Sequence, residues 1–394
     1  MRNKYALPVL ALQMFLVMVG FGIIIPVLPF YAKNMGADPT ELGWLMAVYS
    51  AMQLIFAPIW GRISDSIGRK PVMIIGISGL ALSFFLMAVA TELWMLFVAR
   101  MLGGILSSAN MPTTSAYVAD ITTPENRSKG MGIIGAATGL GFIVGPAIGG
   151  IFSQSSLHLP FYVAGISSLM TVFLVLLFIQ ESLPKEKRGL QQKGKQPRMH
   201  LLRGTNGILF LLQFFISFSL AGLEATFAYF AAERAGLGTT EIGYIFMIMG
   251  LASAFVQGGL MGPLAKKFGE GVIIQGGIIV SATGFALILL TESFLTAALF
   301  LSIFGLGNGV IRPALTALLT KTSHANHGNV TGLLSSFDSL GRIVGPPVGG
   351  ALFELYIGLP YISGVFFSLI AFAIFFKYQR DMQKRVKLPE NEKI

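Results

Sequence analysis

The sequence predicts an all-α polytopic membrane protein with twelve transmembrane helices in two six-helix halves. Three observations predict it. Charged residues make up only 12% of the 394-residue chain and hydrophobic ones 54%, for a mean hydropathy of +0.73; a soluble domain carries about 25% charged residues. Long apolar runs recur throughout, each able to cross a hydrocarbon core about 30 Å thick. Finally, Gly141-Phe-Ile-Val-Gly145-Pro146-Ala-Ile-Gly149-Gly150 returns two hundred residues later as Gly341-Arg-Ile-Val-Gly345-Pro346-Pro-Val-Gly349-Gly350.

Taken in order, the first six runs are 7–31, 41–60, 71–90, 93–119, 130–152 and 160–180. A polar stretch, 181–205, has the composition of a flexible linker. The second six are 207–231, 241–261, 272–291, 294–319, 328–353 and 360–376. The expected division is therefore 1–180, a linker at 181–205, and 206–394 with a polar tail. Leu12-Gln13 returns as Leu212-Gln213, Thr40-Glu41-Leu-Gly43 as Thr240-Glu241-Ile-Gly243, and Pro160-Phe161 as Pro360-Tyr361. A one-residue slip then relates Gly61 to Gly262 and Gly68 to Gly269. Repeated halves of this kind are a transporter's architecture, with a substrate site near mid-membrane.

The net charge of +10 sorts by side. With the N-terminus inside, only Lys33 and Arg234 among the 28 Lys and Arg fall in outer segments, and only Arg100, Arg312 and Arg342 lie within runs. The rest mark the inner face, which places both termini in the cytoplasm. Nucleic acid is not needed to explain the charge. No cysteine is present, so disulfides and thiolate–metal sites are excluded. His324 and His327 read as a solvated loop pair, and no metal site is expected. Gly139-Leu-Gly141-Phe-Ile-Val-Gly145 has the wrong spacing for a dinucleotide loop, and no Walker loop or nucleophile–base set occurs. The chain reads as no enzyme, with no cofactor.

Gly20-Phe-Gly-Ile-Ile-Ile-Pro26-Val-Leu-Pro29, Gly61-Arg-Ile-Ser-Asp65-Ser-Ile-Gly68-Arg69-Lys70, Arg100-Met-Leu-Gly-Gly104 and the Gly141 stretch together resemble the major facilitator superfamily. The resemblance is to its twelve-span drug:proton antiporters, the type of the Gram-positive multidrug exporters, and covers essentially the whole chain. It implies the major facilitator fold, a bacterial inner (plasma) membrane location, and a monomer among membrane lipids whose partners are small lipophilic substrates and protons. It also implies an inner gate at Gly61, Asp65, Gly68, Arg69 and Lys70, where the aspartate latches one conformation; the bland alternative is that these cations only mark topology. In the second half Lys266 and Glu270 stand where the aspartate and arginine would be, so this motif reads as decayed.

Gly141, Gly145, Pro146 and Gly149, with Gly345 and Pro346, are candidate hinge residues. Small residues let helices touch closely, and neighbouring helices can satisfy the carbonyl a proline frees. Bulk at Gly145 is expected to block contact between the halves.

Charges deep within runs each cost about 2.5 to 3.5 kcal/mol to insert, so Arg100, Glu224, Arg312, Asp338 and Arg342 are the most informative side chains. Gln213, Ser217 and Glu224 share one face at helical spacing. That stripe is expected to face a central cavity, where Glu224 is either a proton or cation site or a structurally paired carboxylate. Asn308 and Arg312, four residues apart, share a face; some relatives carry an aspartate at the Asn308 position, so its absence leaves one fewer proton carrier. Asp338 and Arg342 form either a structural pair along one helix or a second titrating site. Arg100 lines up with Ser107, Met111 and Thr114; the resemblance assigns it to proton-coupled change, and the alternative is a donor joining the first and fourth runs. The 32 Phe and 18 Met suit adaptable apolar and cation–π contacts, although most must face lipid or neighbouring helices. The expected function is proton-coupled export of lipophilic, cationic or zwitterionic drugs by alternating access. The alternatives are an exporter of one metabolite or lipid-linked molecule, and a sensor that has lost transport.

Overall fold

The structure, a computed structural model, describes residues 5–189, 206–322 and 327–387. His324 and residues 388–394 lie outside them. Helices α1 (Ala6–Asn34), α2 (Pro39–Ile67), α3 (Arg69–Ala88), α4 (Leu93–Ser107), α5 (Asn110–Ile121), α6 (Pro124–Ser153) and α7 (Leu159–Phe178) come first. Then follow α8 (Asn206–Ala235), α9 (Thr239–Phe255), α10 (Met261–Ile288), α11 (Phe294–Thr322), α12 (His327–Leu355) and α13 (Leu359–Lys387). Among the described residues, ten stretches are long and apolar enough to cross a membrane. One of them, Thr239–Ile288, is 50 residues long and turns back at Gly269, where φ is +78°. Helix α12, 29 residues long with Asp338 and Arg342 inside it, supplies the remaining rod. Helices α4 and α5 are one rod broken at Ser108 and Ala109. The molecule is all-α, as expected.

Helix starts follow local chemistry. Asp38 caps α2 by accepting from the Glu41 N–H at 2.7 Å, and Glu41 returns a bond to the Asp38 N–H at 3.1 Å. In the repeat, Gly238 has no side chain to offer, and only the Glu241 half of the box survives, at 3.1 Å. The slip in the repeat also has a physical cause. Five residues of π-helix, Val256–Leu260, join α9 to α10, and one such turn absorbs one extra residue. It lies between Gly243, still in register with Gly43, and Gly262, one residue out.

Packing repeats as well. Within α1–α7, α6 lies along α1; within α8–α13, α12 lies along α8. A Cβ on Gly145 would stand 2.6 Å from the Val19 carbonyl oxygen, and one on Gly149 2.7 Å from that of Ile23. The Gly145 expectation is thus corrected: this glycine meets α1 of its own group, because the stretch presents glycines to one side and its proline carbonyl to the other.

Contact between the two groups is crosswise, α2 on α12 and α9 on α6. Gly43 packs on the Pro346 carbonyl and Gly243 on that of Pro146. The Thr239–Thr240 backbone sits on Gly150, and Pro39–Thr40 on Gly350. The repeated Thr-Glu-apolar-Gly motif therefore docks on the other group's Gly-Gly step. Hydrogen bonds close the same end, here called the crown: Thr40 N–H to Glu354 Oε1 at 2.9 Å, Thr240 Oγ1 to the Gly150 carbonyl at 2.9 Å, and Tyr229 Oη to the Pro29 carbonyl at 2.9 Å. At the opposite end, the base, where α1 begins and α13 ends, a Cβ on Gly132, Gly135, Gly139, Gly258, Gly259 or Gly262 would meet nothing within 4 Å. The groups meet at the crown and part at the base.

Candidate functional site

Glycines let α12 approach α8 closely. A Cβ on Gly341 would lie 2.7 Å from the Phe214 carbonyl oxygen, and one on Gly349 3.1 Å from Gly222 Cα. This brings the polar stripe of α8 onto the charged face of α12. Gln213 Nε2 and Ser217 Oγ donate to Asp338 Oδ1 at 3.2 and 2.5 Å. Arg342 Nη1 donates to Glu224 Oε2 at 3.2 Å, while its Nε lies 3.6 Å from Asp338 Oδ2. From α11, Arg312 Nη1 stands 4.0 Å from Asp338 Oδ1.

Four charges thus form one chain: Glu224, Arg342, Asp338, Arg312. At one end Glu224 is 2% exposed, and its Oε1 has no partner among the described residues. At the other, the Arg312 side chain is 55% exposed, on an open groove along α11. The stripe of Gln213, Ser217 and Glu224 is buried under α12 and does not line open space, contrary to the sequence expectation. The spacing gave the shared face correctly, but which neighbour covers it depends on the glycines of a helix over a hundred residues away. Asn308 and Arg312 also part company. The Asn308 amide lines a small pocket among Phe215, Phe285, Phe304 and Phe367, while the longer Arg312 side chain reaches the open groove.

Arg100 is buried, its guanidinium carbon 4.3 Å from the Tyr49 ring centroid, with Nε donating to the Leu45 carbonyl at 3.4 Å. Tyr49 Oη and Ser107 Oγ are 2.8 Å apart. Arg100 therefore faces α2, not α1. The helix break at Ser108–Ala109 divides the expected row: Thr114 is buried and receives a bond from Gln13 at 3.4 Å, whereas Met111 is 51% exposed.

At the base, Gly68 turns the α2–α3 corner with φ +112°, a conformation few residues but glycine adopt. The Arg69 side chain, 2% exposed, donates to Asp65 at 2.5 Å, Ser64 at 3.0 Å and Asp120 at 3.2 Å. Glu181 accepts from the Arg69 and Lys70 backbone N–H groups at 2.8 and 3.1 Å. The Gly189 N–H donates to the Asp65 carbonyl at 3.1 Å. The first residues of the expected flexible linker, 181–189, are thus docked on this corner. In the second half the motif is charge-reversed rather than decayed. Glu270, next to Gly269, pairs with Lys321 of α11, where Arg69 pairs with Asp120 of α5. The Lys321 hydrogen bond holds the Glu270 carboxyl below its ordinary range.

The family model described as Major Facilitator Superfamily matches residues 10–327 and 209–393. The chain belongs to this superfamily. It is a multi-pass membrane transporter and not an enzyme. Multidrug resistance protein 2 of Bacillus subtilis (strain 168) is 33% identical over 372 residues, covering 93% of each chain. Quinolone resistance protein NorA of Staphylococcus aureus is 29% identical over 386 residues, covering 97% of this chain and 98% of NorA. Among solved structures, a mutant of the nucleoside transporter NupG superposes with a TM-score of 0.80 at 15% identity, over 94% of this chain and 99% of that one. The human organic anion transporter MFSD10 superposes at 0.70 and 24% identity, over 95% and 100%. Both show the major facilitator fold.

Within this superfamily chain, sequence reasoning missed four partners: Tyr49 under Arg100, Asp120 and Glu181 at the α2–α3 corner, and Lys321 opposite Glu270. A signal existed for Lys321. Asp120 and Lys321 occupy equivalent repeat positions under the same slip that relates Gly68 to Gly269, and both their charge and that of residue 69 or 270 are inverted between halves.

Proposed function

We propose that this transporter is a proton-coupled antiporter exporting lipophilic, cationic or zwitterionic compounds by alternating access. The observation that carries the reading is Glu224, a buried carboxyl group with one oxygen unpartnered among the described residues and the other held by Arg342. Burying an ionised group costs several kcal/mol unless it is paired, so a gain or loss of one proton at Glu224 changes what Arg342 holds. Arg342 then grips Asp338 more or less. The names of the relatives, multidrug and quinolone resistance proteins, support a broad lipophilic cargo.

Placed in a bacterial plasma membrane with both termini inside, the base is cytoplasmic and this conformation faces inward. The six-helix groups, 1–180 and 206–394, would rock about the crosswise contacts of Gly43, Gly243, Gly150 and Gly350, with 181–205 as linker and the monomer as working unit. Asp65–Arg69–Asp120 and Glu270–Lys321 are the inner-gate clusters, and Gly145, Pro146, Gly345 and Pro346 set the helix contacts that the rocking preserves. Arg100 holds α4 to α2 during the change.

Expression in a bacterial host lacking its own pumps tests this. Several unrelated lipophilic dyes should accumulate less in cells making the protein, and collapse of the proton gradient should abolish the difference. Reduced accumulation of a single compound would point to a dedicated exporter, and no reduction for any would overturn the reading.

A further inference from the structure

The most exposed member of the four-charge chain is positive. Both carboxylates of the four-charge chain are covered: Glu224 is sealed between α8 and α12, and Asp338 is already met by Ser217, Gln213 and Arg342. Arg312 is different. Its guanidinium offers five N–H donors in a planar fork, and the single contact to Asp338 lies at 4.0 Å, the limit of an ion pair. Its side chain is 55% exposed on an open groove along α11, where a small molecule can reach it. The same wall carries the Gln257, Thr316 and Thr320 side chains, and Lys321 at its base end. Thr316 and Thr320 bond back to their own helix at 2.9 and 2.7 Å, so they leave Arg312 as the strongest free donor. No carboxylate lines this groove among the described residues.

We infer that Arg312 anchors cargo and that the groove selects compounds bearing a carboxylate or a similar planar anionic acceptor. The inference rests on the export reading and names the cargo class: amphipathic zwitterions and acids, ahead of simple monovalent cations. A guanidinium binds a carboxylate by two parallel charge-assisted bonds, and an arginine is costly inside a membrane unless it serves a pathway. Cargo arriving at Arg312 competes with Asp338 for the same fork.

Two dyes differing by one ester separate the ideas: rhodamine 110, the free acid, and rhodamine 123, its methyl ester. Their binding to the purified full-length protein is read by fluorescence anisotropy, and their export in a pump-deficient host. The wild type should bind the acid about tenfold more tightly than the ester, as expected for one charge-assisted pair. Arg312→Gln should erase that preference, weakening the acid about tenfold while the ester's affinity changes by less than about twofold. Arg312→Lys, which keeps the charge and loses the fork, should recover part of it. A wild type that binds the two dyes equally or prefers the ester, or an Arg312→Gln variant that keeps the preference, overturns the inference while leaving export intact. Loss of export of both dyes in Arg312→Gln would make Arg312 a coupling residue and also overturn it. Failure of the wild type to export either dye would remove the export reading and the inference together.

Discussion

Replacing Gly145 by alanine tests the packing account at one atom. In helix interiors, Gly→Ala stabilises by about 1 kcal/mol where the added methyl has room. At Gly145 it has none. The new Cβ would stand 2.6 Å from the Val19 carbonyl oxygen and 2.8 Å from Gly22 Cα, backbone atoms of α1 that cannot rotate away. Relief to an ordinary contact of about 3.4 to 4 Å requires α1 and α6 to separate by more than half an ångström along a tightly packed seam. Overpacking of this kind costs about 1 to 3 kcal/mol. The methyl's own gain of about 1 kcal/mol offsets part of that, so the expected net destabilisation is up to about 2 kcal/mol. Gly139, on the same helix with nothing within 4 Å of its Cβ, is the internal control, and Gly139→Ala should stabilise. Thermal unfolding in one detergent should rank Gly139→Ala at or above wild type, and Gly145→Ala below it. Equal stabilities for the two variants would refute the claim that glycine contact with α1 sets this seam.

At the base, Asp65→Asn should impair export while leaving dye affinity in detergent within about twofold, because the residue binds Arg69 and not the groove; a large loss of affinity would contradict this. Reversing both partners, Glu270→Lys with Lys321→Glu, should destabilise less than either single change, as a double-mutant cycle on thermal unfolding would measure; additive losses would contradict the pair. The Glu270 carboxyl is depressed below its ordinary value of 4.5 by Lys321, so its stabilisation is present above that value and fades as pH falls through the lower, folded one. As pH falls below 4.5 the wild type should therefore lose stability that Lys321→Gln never had; parallel curves would contradict the contact. At the crown, Glu354→Ala removes the acceptor for the Thr40 N–H and should shift the population away from the base-open state, read as altered cysteine-labelling rates at engineered base and crown positions.

Much of this fold was legible because it is periodic. Apolar runs gave the rods, and the repeat paired the two Gly-Pro stretches, but it put Gly145 against the other half where the structure packs it on α1. The repeat could not say that Thr40 and Thr240 dock on glycines of opposite groups, since nothing local encodes which copy a surface meets. The one-residue slip between Gly43 and Gly61 was visible, and it was the trace of the π turn at Val256–Leu260. For the candidate site, in-membrane charges identified Glu224, Asp338, Arg342 and Arg312 one by one, because each is expensive there. Their partnership was not legible. Glu224 and Arg342 lie 118 residues apart and meet only through the depth of the α8–α12 contact. Asp120 and Glu181 escaped notice because a carboxylate at the end of an apolar run looks like any solvated end.

The most direct test of the central claim follows protons and cargo together at Glu224. Purified protein in liposomes, with a pH gradient imposed and a lipophilic dye added, reports dye-driven proton movement through a trapped pH indicator. The wild type should dissipate the gradient faster when dye is present. Glu224→Gln should bind dye yet move no protons in response, because the buried carboxyl that exchanges them is gone. Dye-driven proton flux in Glu224→Gln equal to that of the wild type would place coupling elsewhere and contradict the account.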